Sequence, residues 1–223
     1  MERNGFLPTA LSFAAHIWRF VRESTPAQRR LRYGDAEYDW DYRVDTTSAT
    51  VGWRERLLGQ FHSPYQPTEP ALFREMMATL EIDFQEFTFI DIGSGKGRAL
   101  LMAADYPFRR ILGIELLPAL ERVAQKNLSA YKSDSQLCFA LEAVCGDARK
   151  FVFPAGPLVV YLFNPLTETG IEDVVTNLVQ SLRQNPRVAY LLYRNPLFEN
   201  VLAKYPFNRI AGTPQYSIFH LCG

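Results

Sequence analysis

Residues 89–98 read FIDIGSGKGR, a short apolar strand that runs directly into a glycine-rich turn. The strand carries one acid, Asp91, and the turn has glycine at three alternate positions, Gly93, Gly95 and Gly97. Glycine lets the backbone turn tightly and approach a ligand without a Cβ in the way. Free backbone N–H groups at the start of the following helix face the same place. An ordinary strand-to-helix turn is the alternative, but such a turn rarely needs three glycines in five residues.

Outward from this turn, short apolar runs alternate with helical patterns from about residue 70 almost to the end of the chain. A strand–helix alternation predicts parallel β-α-β units with helices on both faces of one sheet. The sequence therefore predicts an α/β fold, a doubly wound three-layer sandwich with a mostly parallel sheet and one antiparallel strand near the C-terminus. The predicted strands are 87–92, 110–115, 141–145, 158–163, 187–193, 207–211 and 217–221. The predicted helices begin near Glu69, Ala99, Pro118 and Glu168, and a short one begins at Asn195-Pro196.

The first sixty residues do not follow this rhythm. We expect residues 1–60 to form a helical or irregular N-terminal extension and residues 61–223 to form the main domain. Apolar residues at helical spacing between Phe6 and Phe20 predict an amphipathic helix in the extension. Residues 19–32 then carry five Arg and residues 35–45 carry five acids. These two blocks either pair with each other or are solvated, and solvation is the favoured interpretation.

Composition excludes several classes of protein. The chain has 223 residues, 48% of them hydrophobic and 22% charged, which excludes general disorder. No apolar run approaches the roughly 18 residues of a membrane span. The formal net charge is zero, so no global field favours nucleic acid as a partner. We expect a cytoplasmic protein with reduced thiols, because the start lacks a signal-peptide pattern and the three cysteines have no disulfide or metal spacing.

The spacing of the three glycines distinguishes between possible cofactors. A dinucleotide fingerprint needs its third glycine where Arg98 stands, and a P-loop needs a Ser or Thr after its lysine, which Lys96 lacks. The D-x-G-x-G-x-G pattern of residues 91–97 instead resembles motif I of the class I S-adenosylmethionine-dependent methyltransferases. The resemblance implies that Asp91 supports the loop and approaches the amino group of the methionine moiety. It also implies that the loop contacts S-adenosyl-L-methionine through Gly93, Ser94, Gly95 and Gly97.

Two further acids stand at the ends of the next predicted strands. Glu115 ends the second strand, where a carboxylate can accept hydrogen bonds from both ribose hydroxyls of the cofactor. Asp147 and Ala148 follow the third strand in the order G-D-A, and the family pattern implies that they contact the adenine. A single acid at a strand end is more often a cap or a loop charge. In open α/β sheets, however, ligands bind at the carboxyl edge, where these acids and the glycine turn would meet.

The segment after the fourth strand, LFNPL, resembles the [D/N/S]-P-P-[F/Y] motif of amino-group methyltransferases. The resemblance implies that Asn164 and Pro165 are catalytic and that Asn164 also touches the cofactor. In that motif, the side chain of the first residue and a backbone carbonyl accept hydrogen bonds from the nitrogen that is methylated. The sequence departs from the motif at Leu166 and Thr167. The alternative for Asn164 is a turn or helix N-cap residue.

Upstream, residues 65–68 (YQPT) look like the Y-x-P-T lead-in of non-SET protein-lysine methyltransferases, in which the segment covers the cofactor pocket. The resemblance adds Tyr65 and Thr68 to the expected cofactor contacts. The alternative is that Thr68 is an ordinary N-cap of the helix that begins near Glu69. Residues 60–223 as a whole also resemble uncharacterised bacterial methyltransferase-like proteins.

The expected function is therefore S-adenosylmethionine-dependent methyl transfer, with a protein amino group as the favoured acceptor. Transfer to a small molecule or to RNA is the second hypothesis, and a non-catalytic cofactor-binding module is the third. A nicotinamide enzyme is a remote fourth. Methyl transfer from a sulfonium is a direct displacement that needs no metal, and the histidines His16, His62 and His220 are scattered. We therefore expect no metal site.

Overall fold

The computed structural model describes residues 36–47, 67–164 and 166–222. Seven strands form one sheet in the order β3-β2-β1-β4-β5-β7-β6. The strands are β1 Thr88–Ile92, β2 Arg110–Glu115, β3 Leu141–Cys145, β4 Leu158–Leu162, β5 Val188–Arg194, β6 Asn208–Thr213 and β7 Tyr216–Cys222. The α-helices are α1 Ala36–Tyr42, α2 Pro70–Ala78, α3 Arg98–Ala103, α4 Pro118–Ala130 and α5 Glu168–Gln184.

Strand direction confirms the predicted sheet. The first five strands in the chain pair in parallel, in the spatial order β3-β2-β1-β4-β5. β7 runs antiparallel between β5 and β6, so it is the single strand of opposite direction. The chain moves outward from β1 to β3 and then returns to the other side of β1 as β4. This reversal between β1 and β4 is the topological switch point at which doubly wound sheets bind ligands.

Two apolar clusters, one on each face of the sheet, make the three layers. On the first face, Phe89 and Tyr161 pack against buried residues of α2, α3 and α4. On the second face, Ile90 and Val160 pack against the apolar stripe of α5. We call these the α2–α4 face and the α5 face. Because side chains alternate along a strand, each inner-strand residue is assigned to one of them by its register.

The bounds of most elements agree with prediction, and one element differs in kind. The predicted helix at Asn195-Pro196 is a 3₁₀ helix that begins later, at Glu199–Lys204. Short 3₁₀ helices are common connectors, because their i→i+3 hydrogen bonds close a tighter turn than those of an α-helix. No helix among residues 36–47, 67–164 and 166–222 has the length and apolar character needed to cross a membrane.

Part of the N-terminal extension lies outside the described residues, including its predicted amphipathic helix and the arginine-rich block. The described part is α1 and the segment that follows it to residue 47. Tyr38, Tyr42 and Val44 pack against the cluster on the α2–α4 face. The division of the chain at residue 60 stays a prediction.

Candidate active site at the carboxyl edge of the sheet

The glycine turn between β1 and α3 requires glycine at all three predicted positions. Gly93, Gly95 and Gly97 have φ angles of 75°, 54° and 85°, in the left-handed region that other residues rarely adopt. The N–H groups of Gly93 and Ser94 both donate to the carbonyl of Ile114, at 2.8 and 3.1 Å. The loop therefore folds back over the end of β2, and α3 begins directly after Gly97.

A fourth glycine, Gly113 in the middle of β2, makes room for this loop. A Cβ at Gly113 would lie 2.6 Å from Cδ1 of Leu100 and 2.7 Å from Oγ of Ser94. Ser94 is buried, and its hydroxyl has no hydrogen-bond partner among the described residues. The sequence alone does not single out Gly113, because a lone glycine in an apolar strand is only a weak indication of close backbone approach.

Glu115, at the end of β2, holds the glycine loop directly. Its carboxylate oxygens accept hydrogen bonds from the N–H of Gly95 at 2.8 Å and from the N–H of Leu117 at 2.9 Å. The side chain is only 4% exposed. Burial raises the pKa of Glu115 above its ordinary value, although the backbone donors oppose that rise. Each carboxylate oxygen has a second lone pair, so these two bonds leave acceptor sites for hydroxyl groups.

Asp91, on the neighbouring strand, is the most unusual group at this edge. It is 4% exposed, and no hydrogen bond joins its carboxylate to another described residue. Its register partners are Gly113 on β2 and Tyr161 on β4, so it lies on the α2–α4 face. Burial, reinforced by the charge of Glu115, raises the pKa of Asp91 to about 8. A buried carboxyl group without a partner is a site for a cation or a hydrogen-bond donor.

Thr68 is hydrogen-bonded to a residue on the same α2–α4 face of the sheet. Its hydroxyl lies 2.6 Å from the hydroxyl of Tyr161, and both side chains are buried. The alternative role of Thr68 as the N-cap of α2 is wrong, because Glu69 occupies that position and the Thr68 hydroxyl bonds to Tyr161. Tyr65 lies outside the described residues. The sequence alone does not single out Tyr161, because an aromatic residue in a buried strand looks like any other core residue unless the hydrogen-bond partner of its hydroxyl is known.

Asp147 follows β3 as predicted, but its carboxylate is bound by a residue of the turn that it begins. Its carboxylate accepts a hydrogen bond from the N–H of Arg149 at 3.0 Å, which caps the short 3₁₀ helix of residues 148–150. It also forms an ion pair with the Arg149 guanidinium at 2.8 Å. Hydrogen bonding to Arg149 lowers the pKa of Asp147 below its ordinary value. Asp147 is half-buried and Ala148 is buried, on the far side of β2 from Asp91.

Asn164 is buried after β4 and has a positive φ of 40°. Its side-chain oxygen accepts a hydrogen bond from the hydroxyl of Tyr193 at 2.8 Å, and its Nδ2 donates to the carbonyl of Asn195. Tyr193 packs in the cluster on the α5 face. The structure therefore brings Asp91, Glu115, Thr68 and the glycine loop together and directs the Asn164 side chain toward the other face. Pro165 lies outside the described residues.

The acidic block of the extension is solvated only in part, because most of its described acids are exposed but two of them pair with residues of the glycine loop. The guanidinium of Arg98, 2% exposed, donates to Asp39 at 3.1 Å and lies 4.2 Å above the ring of Tyr38. Asp39 also accepts hydrogen bonds from the N–H groups of Thr46 and Thr47, at 2.8 and 2.7 Å. Buried Arg98 required a partner, and only the folded chain shows that the extension provides it.

A second set of contacts joins the extension to the loop. Lys96 donates to the carboxylate of Asp45 at 2.6 Å. The side chain of Asn127, on α4, exchanges two hydrogen bonds with the backbone of Asp45 and donates a third to the carbonyl of Lys96, all at 2.9 Å. Residues 39–47 therefore lie against the back of the glycine loop. Neither Asn127 nor Arg98 was among the predicted site residues.

No protein-family model and no curated protein sequence matches the chain. Among solved structures, an RNA methyltransferase from Salinibacter ruber in complex with S-adenosyl-L-homocysteine is 18% identical, with a TM-score of 0.44, over 70% of this chain and 92% of that one. A ribosomal protein L11 methylase from Lactobacillus delbrueckii subsp. bulgaricus is 12% identical, with a TM-score of 0.46, over 68% and 74%.

The mitomycin 7-O-methyltransferase MmcR is similar at the same level, with 12% identity and a TM-score of 0.47 over 67% of this chain and 52% of that one. The names of these three proteins indicate three different kinds of acceptor. The likeness to them concerns the fold alone.

Proposed function

We propose that this protein is an S-adenosylmethionine-dependent methyltransferase. The observation that carries the proposal is the buried carboxyl group of Asp91, which has no hydrogen-bond partner among the described residues and lies beside a glycine loop that approaches it without side chains. The methionine end of the cofactor carries an ammonium group, and a cation beside Asp91 would offset the cost of burying its charge. An ordinary structural turn gives no reason for such a group.

The order of acids along the sheet supports the same ligand. Asp147 follows β3, Glu115 ends β2 and Asp91 lies near the end of β1, and these three strands are consecutive neighbours in the sheet. Neighbouring strands are about 4.8 Å apart, so the three acids span about 10 Å along one edge. In the proposed complex, Asp147 contacts the adenine, Glu115 accepts from the ribose hydroxyls, and Asp91 accepts from the ammonium group. The backbone of Gly93, Ser94, Gly95 and Gly97 lies against the ligand.

When bound, S-adenosylmethionine supplies an electrophilic methyl group, and the protein has to position the acceptor behind the S–CH₃ bond. Holding two reactants in line is the main contribution a protein makes to such a displacement. Thr68 and Tyr161 hold each other by a hydrogen bond at the end of β4 and exclude water from the Asp91 side. Burial of Asp91 and Glu115 keeps both acceptors preorganised, so little reorganisation is needed when the ligand enters.

A protein amino group is the proposed acceptor. The support is the Asn164-Pro165 pair, which stands at the end of β4 where the amino-group motif of this type of fold would place it. The Asn164 oxygen accepts from Tyr193, and its second lone pair, or the backbone carbonyl, remains for the target nitrogen. The likeness of residues 65–68 to the lead-in of non-SET protein-lysine methyltransferases supports the same class.

The proposal is tested by calorimetric titration of the full chain with S-adenosyl-L-homocysteine, which retains the ammonium group. Because the pKa of Asp91 is about 8 in the free protein, a bound cation should lower it and release a proton below that pH. We therefore expect affinity to rise as the pH increases toward 8 and to lose this dependence in Asp91→Asn. Absence of binding, or preferential binding of a nicotinamide dinucleotide, would contradict the proposed function.

The acceptor class is tested by methyl transfer from labelled cofactor into a cell lysate that is then separated into protein, RNA and small molecules. Label in protein that is stable to base treatment is expected for methylated amines. Label confined to RNA or to small molecules would replace the proposed acceptor and leave the cofactor assignment intact. The Asp91→Asn variant is the control, because it removes the proposed contact to the cofactor.

A further inference from the structure

Arg194 is the last residue of β5, and it lies on the same face of the sheet as Asp91. Its register partner on β7 is Tyr216, which packs in the cluster on the α2–α4 face. Its guanidinium carbon lies 5.1 Å from the ring centre of Phe163, the residue that follows β4. The side chain is thus at the carboxyl edge, two strands away from Asp91 in the order β1-β4-β5.

One edge of the Arg194 guanidinium has no partner. Nη1 donates to the carbonyl of Gln215 at 2.9 Å, which fixes the group against the turn between β6 and β7. Nε is shielded from solvent and has no acceptor among the described residues. No described carboxylate forms an ion pair with Arg194, and none of the hydrogen bonds between described residues involves Nη2. The Nε–H and Nη2–H groups point the same way and form the fork that binds a carboxylate or a phosphate through two hydrogen bonds.

Most other buried or paired arginines in the described part of the chain have the partners that Arg194 lacks. Arg98, Arg110, Arg149 and Arg209 each form an ion pair with an acid. Arg187, before the opposite end of β5, also has a shielded Nε, but its two terminal nitrogens donate to the carbonyl and the hydroxyl of Ser181. Arg194 alone among these six combines a carboxyl-edge position, a shielded Nε and an unpaired charge.

The position of the proposed cofactor site indicates that the methyl acceptor would lie near Arg194. Adenine, ribose and methionine would lie over β3, β2 and β1 in turn, so the acceptor side of the sulfur is the part of the edge formed by β4 and β5. Neighbouring strands are about 4.8 Å apart, which puts β5 about 10 Å from β1. A group that binds Arg194 there would be a few bonds away from the atom that receives the methyl group.

We propose that Arg194 binds an anionic group, a carboxylate or a phosphate, that the methyl acceptor carries close to its nucleophilic atom. This inference rests on the proposed function, because the position of the acceptor follows from that of the cofactor. Phe163 and Gln215 hold the guanidinium in place before the ligand arrives, so its fork is preorganised for a planar or tetrahedral oxyanion. In an amine acceptor, the anionic group is a flanking acid or a carboxylate of the same molecule.

The test follows the Nε–H signals of arginine by NMR in the ¹⁵N-arginine-labelled full chain, saturated with S-adenosyl-L-homocysteine. Inorganic phosphate and sodium acetate are the two probes, added at ionic strength held constant with sodium chloride so that general screening does not change. Arg194→Gln identifies the Arg194 signal and removes the charge, and Arg194→Lys keeps the charge without the fork. Arg187→Gln is the matched control, since Arg187 has the same kind of shielded Nε at the opposite edge.

The Arg194 signal is expected to move in a saturable way with at least one probe, and the signal of Arg187 is expected to stay. The probe that binds more tightly identifies the anion as phosphate or carboxylate. Arg194→Lys has no Nε–H signal of its own, so its binding of the same probe is measured by calorimetric titration, and it should be at least about tenfold weaker because a lysine lacks the two-bond fork. Arg187→Gln should leave the response of the Arg194 signal unchanged.

Three results overturn the inference. If the Arg194 signal does not move with either probe while S-adenosyl-L-homocysteine binds, the proposed function is left intact and the anion site is ruled out. A signal that moves with S-adenosyl-L-homocysteine but not with 5′-methylthioadenosine, which lacks the amino-acid part, would assign Arg194 to the carboxylate of the cofactor. Failure of S-adenosyl-L-homocysteine to bind at all would contradict the proposed function and this inference together.

Discussion

The guanidinium of Arg98 and the carboxylate of Asp39, 59 positions apart in the chain, form an ion pair of 3.1 Å directly behind the glycine loop. Arg98 is the first residue of α3, and Asp39 lies in the middle of α1. Thr46 extends the contact, since its hydroxyl donates to Asp39 and accepts from Nε of Arg98. The N-terminal extension is thereby connected to the backbone that would face the cofactor.

Asp39→Asn is expected to destabilise the protein by about 1–3 kcal/mol, because it replaces a charge-assisted hydrogen bond of the buried Arg98 guanidinium with a neutral one. Affinity for S-adenosyl-L-homocysteine should fall in parallel, since the start of α3 loses its support. Thermal unfolding and calorimetric titration measure the two effects. Asp41→Asn is the control, because Asp41 lies on the same helix but is exposed. Equal stability of the two variants would mean that the ion pair contributes nothing to the folded state.

Asp91→Asn is expected to stabilise the free protein at alkaline pH. The pKa of Asp91 is about 8 in the folded protein against a reference value of 3.8, so the folded state holds its proton more tightly than the unfolded state. The free energy of unfolding therefore decreases as the pH rises from about 4 to about 8. An asparagine side chain does not ionise, so the Asp91→Asn variant lacks this decrease in the free energy of unfolding. We expect a gain above about 1 kcal/mol at pH 8, or about 2–4 °C in Tm, and little gain at pH 4.

The same Asp91→Asn variant should bind S-adenosyl-L-homocysteine at least about tenfold more weakly at pH 8, because the charge-assisted hydrogen bond is lost. A variant that is more stable but binds less well is typical of a residue kept for function. If its Tm at pH 8 were lower than that of the unchanged protein, Asp91 would have a structural role that the hydrogen bonds do not reveal.

Gly113→Ala tests the close approach of β2 to the glycine loop. The added Cβ would meet Leu100 at 2.6 Å and both side-chain atoms of Ser94 at 2.7 and 2.8 Å, so the loop has to shift. We expect about 1–3 kcal/mol of destabilisation and a clear loss of ligand affinity. Ser94→Gly in the same chain removes two of the three clashes and should restore part of both. Normal binding by Gly113→Ala alone would show that the loop tolerates displacement.

Asn164→Ala and Tyr193→Phe together test the role proposed for Asn164. Both substitutions remove the hydrogen bond between the two side chains, and each removes one more, from Nδ2 of Asn164 to the carbonyl of Asn195 or from the N–H of Phe198 to the hydroxyl of Tyr193. Both should therefore cost about 1–2 kcal/mol of stability. If Asn164 aligns the acceptor, only Asn164→Ala should lower kcat, by about 10²-fold, with the Kd of the cofactor nearly unchanged. Near-normal turnover in both variants would restrict Asn164 to the turn that it shares with Asn195.

Local sequence determined most of the fold. The apolar runs predicted β2 and β3 with their observed bounds and the other strands to within one or two residues, because burial on one or both faces leaves a periodic pattern in the chain. The glycine spacing likewise predicted a tight turn, and the structure gives all three glycines positive φ angles that few other residues adopt. The place of Glu115 at the end of its strand followed from the same local signals.

The tertiary structure alone decided the partners of the site residues. Lys96 and Arg98 pair with the extension, Thr68 bonds to Tyr161, and Asn164 turns toward Tyr193 on the opposite face from Asp91. Arg187 and Arg194 stand at the two ends of β5 and cannot be distinguished from the sequence. In the structure, the terminal nitrogens of Arg187 bind Ser181, whereas Nε and Nη2 of Arg194 have no described partner. Local patterns report backbone conformation and burial, whereas a partner depends on which distant segments the packing of the sheet brings within hydrogen-bond distance.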